Sequence, residues 1–216
     1  MSDIVIIDYG MGNLRSVQHA FSNQGYATQI TDDREKIRNA AGLVLPGVGA
    51  FGRAMDNLNR LGLADILRER LREGIPFLGI CLGLQLLFEA SEEAPGVKGL
   101  SVFEGGVERF VGDFKIPSIG WNNLAVKRAN PLLVGVDDKT FFYFVHSYFV
   151  RPKQKDSVLA VSSYGVEFPA MVGSDRCFGL QFHPEKSSLE GLKIIGNFGK
   201  MVREDGHYTR NRPASG

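Results

Sequence analysis

Cysteines are scarce in this sequence, neither sign of charge is in excess, and long hydrophobic runs are absent. Only Cys81 and Cys177 occur among 216 residues, which argues against a fold held by a disulfide framework. The 25 basic and 24 acidic residues leave no net field that would hold nucleic acid. No apolar run approaches the roughly 20 residues that span a membrane, and the first residues lack the basic and apolar regions of a signal peptide. We therefore expect a cytoplasmic protein that binds neither nucleic acid nor a membrane.

The first part of the chain alternates short apolar runs with amphipathic stretches. This alternation is typical of βαβ units, in which helices cover both faces of a parallel sheet. Strands are predicted over residues 3–8, 26–31, 42–46 and 75–80. Helices are predicted over residues 14–25 and 53–74, the second with a candidate break at Gly62.

After Ser91 the pattern changes to short strands separated by turn residues, which favours antiparallel or mixed pairing. These strands are predicted within residues 101–110, 115–127, 140–150, 157–164, 167–173 and 177–184. A last amphipathic helix is predicted over residues 189–202, and residues 204–216 form a polar tail. The sequence thus predicts a single α/β domain over residues 1–203. We expect an open, mostly parallel twisted sheet with helices on both faces and an antiparallel β extension in the C-terminal half.

An apolar strand leads directly into Cys81, which Gly79 and Gly83 flank in the pattern G-x-C-x-G. This spacing copies the G-x-S-x-G elbow, in which flanking glycines allow the sharp turn that lifts a nucleophile above the sheet. A helical run is predicted over residues 84–90, so that Cys81 would precede a helix whose free N–H groups favour a thiolate. The alternative is a buried core cysteine, a common role for a lone Cys on an apolar strand. The paired glycines favour the nucleophile.

Four histidines could act as the base for such a nucleophile: His19, His146, His183 and His207. The first lies in a predicted helix and the last in the tail, while His146 follows an aromatic strand and is predicted to be structural or pocket-forming. His183 ends an apolar strand, and Pro184 fixes the turn after it, so Glu185 can return to the second ring nitrogen. The alternative is a solvated turn. With the Cys81 elbow in the same chain, the pattern favours a Cys–His–Glu triad.

The motifs G-I-C-L-G-L-Q and H-P-E-K-S resemble those of the class I, or triad, glutamine amidotransferases. The resemblance runs from residue 8 to about residue 198 and implies their flavodoxin-like fold. In that family a Cys, a His and a Glu hydrolyse the side-chain amide of glutamine through a thioester and release ammonia. By resemblance, Cys81 is the nucleophile, His183 the general base and then acid, and Glu185 its orienting partner. The resemblance implies no cofactor and no metal ion.

Four further segments, D-Y-G-M-G-N-L, P-G-V-G-A-F, G-W-N and Y-F-V-H-S-Y, are together similar to one branch of this family. This branch comprises the glutaminase subunits of imidazole glycerol phosphate synthase in histidine biosynthesis. Those subunits act on L-glutamine and pass the ammonia to a separate (βα)8-barrel cyclase subunit. The resemblance therefore implies a heterodimer of these two subunits.

The resemblance also assigns roles outside the triad. The oxyanion-hole donors it implies are Val48, Gly49 and Leu82. The substrate-binding residues it implies are Gly47, Gln85, Ser147 and Tyr148. The residues it places at the interface with the cyclase are Asn13, Trp121, Asn122, Tyr143 and Lys186. Gln85 could instead be an ordinary helix residue, and most side chains of the aromatic cluster could simply be core.

Residues 47–52 also fit G-x-G-x-x-G, the pattern of a dinucleotide-binding turn. Such a site needs an acid at the end of the next strand, about 20 residues on. Here that distance falls at Asp65, inside a predicted helix, so the glycines fit an oxyanion loop better. Residues 10–15 offer a second, weaker match, because Arg15 replaces the third glycine.

One position departs from the family pattern. Family members commonly carry a histidine two residues before the G-W-N motif, where this chain has Ser118. The departure leaves open a related subunit that feeds ammonia to a different synthase, such as one that amidates a nucleotide-linked sugar. A thiol hydrolase acting on peptides or other amides, and a non-enzymatic dinucleotide-binding module, are the remaining alternatives.

Overall fold

The computed structural model describes residues 4–137 and 139–210. Its first half alternates strands and helices as the sequence predicts, because runs of branched apolar residues are followed by amphipathic stretches. The elements are β1 (Ile4–Ile7), α1 (Leu14–Asn23), β2 (Thr28–Thr31), α2 (Arg34–Arg38), β3 (Gly42–Gly47), α3 (Phe51–Arg60), α4 (Leu63–Arg72), β4 (Phe77–Cys81) and α5 (Leu82–Leu86).

The second half is built mainly from strands and ends in one long helix. Its elements are β5 (Phe88–Ser91), β6 (Phe103–Arg109), β7 (Ser118–Asn123), β8 (Ala125–Val126), β9 (Phe141–His146), β10 (Tyr148–Pro152), β11 (Val158–Tyr164), β12 (Val166–Ser174), β13 (Cys177–Leu180) and α6 (Ser188–Arg210). Short 3-10 turns occur at Pro131–Leu133, Lys155–Ser157 and Pro184–Lys186.

Eight strands form the central sheet in the order β2-β1-β3-β4-β13-β12-β11-β8. The first five are parallel and the last three pair antiparallel. β10, β6 and β5 form a second sheet, and β7 and β9 form an antiparallel ribbon. The predicted fold class is confirmed, and the order 2-1-3-4 at one end is that of flavodoxin-like sheets.

Two apolar cores lie on opposite faces of the central sheet, because successive residues of a strand point to opposite sides. Ile4 and Ile6 of β1 belong to the core that contains Phe198 of α6. Val5 and Ile7 belong to the other core, which takes in the buried hydrophobic residues of α3, α4 and α5. Helices therefore cover both faces, as predicted.

Most predicted elements are present, and the break at Gly62 is confirmed. Gly62 has a left-handed backbone (φ 66°) and separates α3 from α4. The helical run predicted over residues 84–90 is wrong in its second half. The chain leaves the helix after Leu86 because backbone carbonyls there accept hydrogen bonds from residues 99–103, and β5 follows. Residues 140–150 form two strands, with Ser147 between them.

The short helix α2 was not predicted. α6 continues through residue 210 into the segment that the sequence assigns to a polar tail, of which residues 211–216 lie outside the described residues. No helix in the described part of the chain combines the length and the apolar character needed to cross a bilayer.

Candidate active site

Cys81 is the last residue of β4, and α5 begins at the next residue. Its φ of 55° is unusual for a residue with a side chain and marks a strained elbow between strand and helix. Gly83 passes so close to β3 that an added Cβ would lie 1.7 Å from the carbonyl oxygen of Leu45. Gly79 is similarly crowded by the backbone of Gly83 and Leu84. Steric crowding therefore explains why glycine occupies both positions that flank Cys81. The elbow presents Cys81 at the carboxyl end of the parallel strands.

His183 and Glu185 lie on the segment that follows β13, the neighbour of β4. The 3-10 turn that begins at Pro184 returns the Glu185 carboxylate to the imidazole, and Oε1 lies 2.8 Å from Nδ1 of His183. The two side chains are only 4% and 2% exposed. Because the carboxylate accepts from Nδ1, Nε2 is left as the basic nitrogen.

The charge of His183 is set by opposing effects. Burial alone lowers the pKa of the imidazole, but its interactions with Cys81 and with Glu185 outweigh burial and hold the pKa above the ordinary value. Nε2 itself makes no hydrogen bond within the described part of the chain. The neighbouring sulfur and carboxylate thus stabilise the protonated form of the ring, which makes His183 a stronger base.

Gln181 is a buried neighbour of the sulfur that sequence reasoning missed. Its Nε2 lies 3.8 Å from Sγ of Cys81, and its Oε1 accepts a hydrogen bond from Nε2 of Gln85 at 3.3 Å. Gln85 also donates to the carbonyl oxygen of Tyr148 at 3.1 Å. No local pattern in the sequence points to Gln181, because its partners Cys81 and Gln85 lie 100 and 96 residues away along the chain.

A cleft of about 260 Å³ opens beside Cys81. Besides Cys81, it is lined by six residues to which the resemblance assigned roles: Val48, Gly49, Leu82, Gln85, Ser147 and Tyr148. Gly47 does not line the cleft but pairs with Cys81 across β3 and β4. Glu93 also lines it and was not predicted, because it comes from the segment after β5 and is brought in only by the fold.

The glycine loop at residues 47–49 is backed by the segment after β1. The Tyr9 hydroxyl packs against Gly47, and the methyl group of Met11 packs against Gly49, whose φ is 111°. The Tyr9 hydroxyl is buried and has no hydrogen-bond partner among the described residues. Burial, with a smaller effect from Cys81, raises the pKa of Tyr9 well above its ordinary value, so the hydroxyl stays protonated.

His146 is a buried histidine behind the cleft, consistent with the structural or pocket-forming role that the sequence predicts. Its ring packs among Phe110, Phe144 and Phe168, and Nδ1 lies 2.8 Å from the carbonyl oxygen of Tyr148. Burial lowers its pKa to about 4, although that hydrogen bond opposes the shift. His146 is therefore neutral near neutral pH.

Three of the five interface candidates lie together on the β7–β9 ribbon and the turn beside it. Trp121, half-exposed at 51%, pairs across the ribbon with Tyr143, their rings 5.9 Å apart. Nζ of Lys186 lies 5.8 Å from the Tyr143 ring centre. Asn122 is turned away from this group and donates to the carbonyl of residue 163, and Asn13 caps α1.

Ser118, the position that departs from the family pattern, is buried at the start of β7 opposite His146. Its side chain is therefore not displayed on the outer surface of the ribbon.

The comparisons with known proteins agree on one family. The family described as "Glutamine amidotransferase class-I" matches residues 5–201. The chain is 48% identical over 207 residues to the "Imidazole glycerol phosphate synthase subunit HisH" of Moorella thermoacetica, covering 96% of this chain and 99% of that one. It is 49% identical over 200 residues to the protein of the same name from Caldanaerobacter subterraneus subsp. tengcongensis, covering 93% and 98%.

A solved structure titled "Crystal structure of glutamine amidotransferase" superposes with a TM-score of 0.74 at 22% identity, covering 92% of this chain and 98% of that one. At that sequence identity, the superposition is evidence for the fold alone.

Proposed function

Because the chain belongs to the class-I glutamine amidotransferase family, we propose that it is the glutaminase subunit of imidazole glycerol phosphate synthase. It hydrolyses L-glutamine to glutamate and ammonia and delivers the ammonia to a separate (βα)8-barrel cyclase subunit. The names of the near full-length relatives support the choice of synthase. The observation that carries the chemistry is the buried His183–Glu185 pair beside the Cys81 elbow. We place this heterodimer in the cytoplasm, in keeping with the two free thiols.

The chemistry follows from the order of these groups. Sγ of Cys81 attacks the amide carbon of glutamine while Nε2 of His183 takes the thiol proton. The imidazolium then protonates the leaving nitrogen, ammonia departs and a thioester remains. A water molecule, deprotonated by His183, attacks the thioester and releases glutamate and the thiol. Glu185 holds the ring orientation and stabilises the imidazolium in both halves of the reaction.

The oxyanion of each tetrahedral intermediate would be bound by backbone N–H groups of Val48, Gly49 and Leu82, which line the cleft beside Cys81. Replacing Gly49 by Val tests this role, because the left-handed backbone is strained for a residue with a side chain and an added Cβ would lie 2.8 Å from the Met11 methyl group. We expect kcat to fall by about 100-fold with a much smaller change in KM. A loss confined to KM would contradict the oxyanion role.

The division of labour between the subunits is tested with a complex of the Cys81→Ala chain and the cyclase. This complex should lose glutamine-dependent synthesis but still form imidazole glycerol phosphate from ammonium salt at alkaline pH, where free ammonia is abundant. Failure of ammonium to restore synthesis in an intact complex would overturn the proposal. Copurification with a synthase that amidates a sugar would instead identify the alternative partner.

A further inference from the structure

Three polar groups surround the sulfur of Cys81 in the resting protein. Gln181 offers an amide N–H at 3.8 Å, and the carbonyl oxygen of Val145 lies 3.9 Å away on another side. The third is the His183 ring, which interacts electrostatically with the sulfur and whose Nε2 has no hydrogen-bond partner among the described residues. In the thiol form, the S–H group can donate to Val145 while the sulfur accepts from Gln181.

The amide of Gln181 is fixed in this orientation. It is completely buried, and its Oε1 accepts from Nε2 of Gln85. The other hydrogen of that Gln85 nitrogen goes to the carbonyl of Tyr148. If the Gln181 amide turned over, two NH2 groups would face each other and its oxygen would face the sulfur. The hydrogen-bond chain therefore directs an N–H group of Gln181 at Cys81.

We propose that Gln181 is a second, uncharged hydrogen-bond donor to the Cys81 thiolate and hence a catalytic residue of the glutaminase reaction. The proposal rests on Cys81 being the nucleophile. When the thiol loses its proton, the carbonyl dipole of Val145 opposes the new negative charge. The Gln181 N–H offsets that repulsion, and a hydrogen bond to a charged group is stronger than one between neutral groups.

This role predicts opposite effects on two properties of the thiolate. The donor increases the fraction of Cys81 that is ionised at a given pH, but it also lowers the electron density available for attack. Once the sulfur is acylated it carries no charge, and Gln181 then contributes little. Removing the donor should therefore slow reaction at low pH and leave the high-pH rate equal or higher.

The test is the pH dependence of alkylation of Cys81 by iodoacetamide, in a Cys177→Ala background so that one thiol remains. In Gln181→Met the side chain keeps its length but loses the donor. We expect alkylation to be about fivefold slower on the acid side of the profile, with the midpoint moved to higher pH and the plateau not reduced. Gln181→Glu places a carboxylate at the same point and should move the midpoint further in the same direction.

The other titratable groups around the sulfur are unchanged in these variants. They are His183 with its partner Glu185, the Tyr9 hydroxyl, and Glu93 and His146 around the cleft. A shift of the profile can therefore be assigned to residue 181.

Ser162→Ala is the matched control. Ser162 lies on β11, and its buried hydroxyl donates to the carbonyl of Asn123 at 2.8 Å. The variant therefore loses a buried hydrogen bond that is not part of the surroundings of Cys81. It should lose stability to urea but keep the parental alkylation profile. A folded Gln181→Met protein with the parental profile, or with a uniform loss at all pH values, would overturn the proposal. If that variant does not fold, an unshifted profile in Gln181→Glu would do so. Because alkylation requires no glutamine, a failure of the proposed function would be seen separately, as missing glutamate release.

Discussion

Replacing Gly83 by Ala should distort the elbow at Cys81 and thereby lower both the stability and the activity of the protein. Gly83 is the second residue of α5 and lies against β3, where an added Cβ would stand 1.7 Å from the carbonyl oxygen of Leu45 and 2.9 Å from its carbonyl carbon. Real Cβ atoms essentially never approach other atoms closer than 3.0 Å. The obstructing atoms belong to backbone in the centre of the sheet, so no side chain can turn away to make room. Either β3 or the start of α5 must move by more than an ångström.

That movement has an energetic and a kinetic consequence. Overpacking of a buried position usually costs about 1–3 kcal/mol, and the backbone contact places Gly83→Ala at the upper end, at about 3 kcal/mol of unfolding free energy. Because α5 starts directly after Cys81, the sulfur would be displaced along with the helix. A displacement of about 1 Å at a reacting group lowers activity by about 100-fold. Urea unfolding and glutamate release in the presence of the cyclase measure the two effects.

Gly106→Ala is the control for Gly83→Ala. Within the described part of the chain, a Cβ at Gly106 on β6 would meet one atom, the carbonyl oxygen of Ala90, at an ordinary 3.6 Å. Stability and activity of this variant should stay close to those of the parent, within about 0.5 kcal/mol in unfolding free energy. If Gly83→Ala matched Gly106→Ala in both measurements, the steric account of the elbow would be wrong.

Three further predictions follow from the buried groups of the site. Cys81→Ala should abolish glutamate release, whereas Cys177→Ala should retain most of it at a stability cost of about 1 kcal/mol; comparable losses of activity would contradict the choice of nucleophile. His146 ionises with a pKa of about 4 in the fold, against about 6.5 when unfolded. Its contribution to stability is therefore present above about pH 6.5 and lost as the pH falls toward 4, up to about 3 kcal/mol, and urea unfolding of His146→Gln should lack this part of the acid sensitivity. Tyr9→Phe removes a buried hydroxyl that has no hydrogen-bond partner among the described residues, and it should raise the unfolding free energy by about 1 kcal/mol; a decrease would show that the hydroxyl is bonded in solution.

The sequence predicted those parts of the fold whose causes are local. Alternating apolar runs and amphipathic stretches are sufficient to predict the parallel strands, and one glycine with a left-handed backbone at residue 62 is sufficient to separate α3 from α4. The error over residues 84–90 has a different origin. Apolar residues there suit either a helix or a buried strand, and backbone pairing with residues 99–103 decides between them. That pairing joins segments that are separate in the sequence, so it cannot be predicted from residues 84–90 alone.

The same distinction applies to the candidate site. The elbow at Cys81 and the turn from His183 to Glu185 are each complete within a few residues, so their patterns can be read directly. Gln181 accepts a hydrogen bond from Gln85, which lies 96 residues away in the sequence, and the residues next to Gln181 in the sequence do not predict this contact. Its proposed role could be found only after β13 had been placed beside β4.

The three glycines of residues 47–52 show why a match to G-x-G-x-x-G need not indicate a dinucleotide-binding site. Gly47 leaves space for the Tyr9 hydroxyl, Gly49 has a left-handed backbone, and Gly52 lies in the first turn of α3 against a neighbouring side chain. In a dinucleotide site the N–H groups at the start of the following helix would face the pyrophosphate. Here the N–H of Phe51 donates to a carboxylate oxygen of Glu93 at 2.7 Å. A pyrophosphate at this helix would meet a negative charge that already satisfies the donor, so separate contacts, and not a nucleotide, account for the spacing.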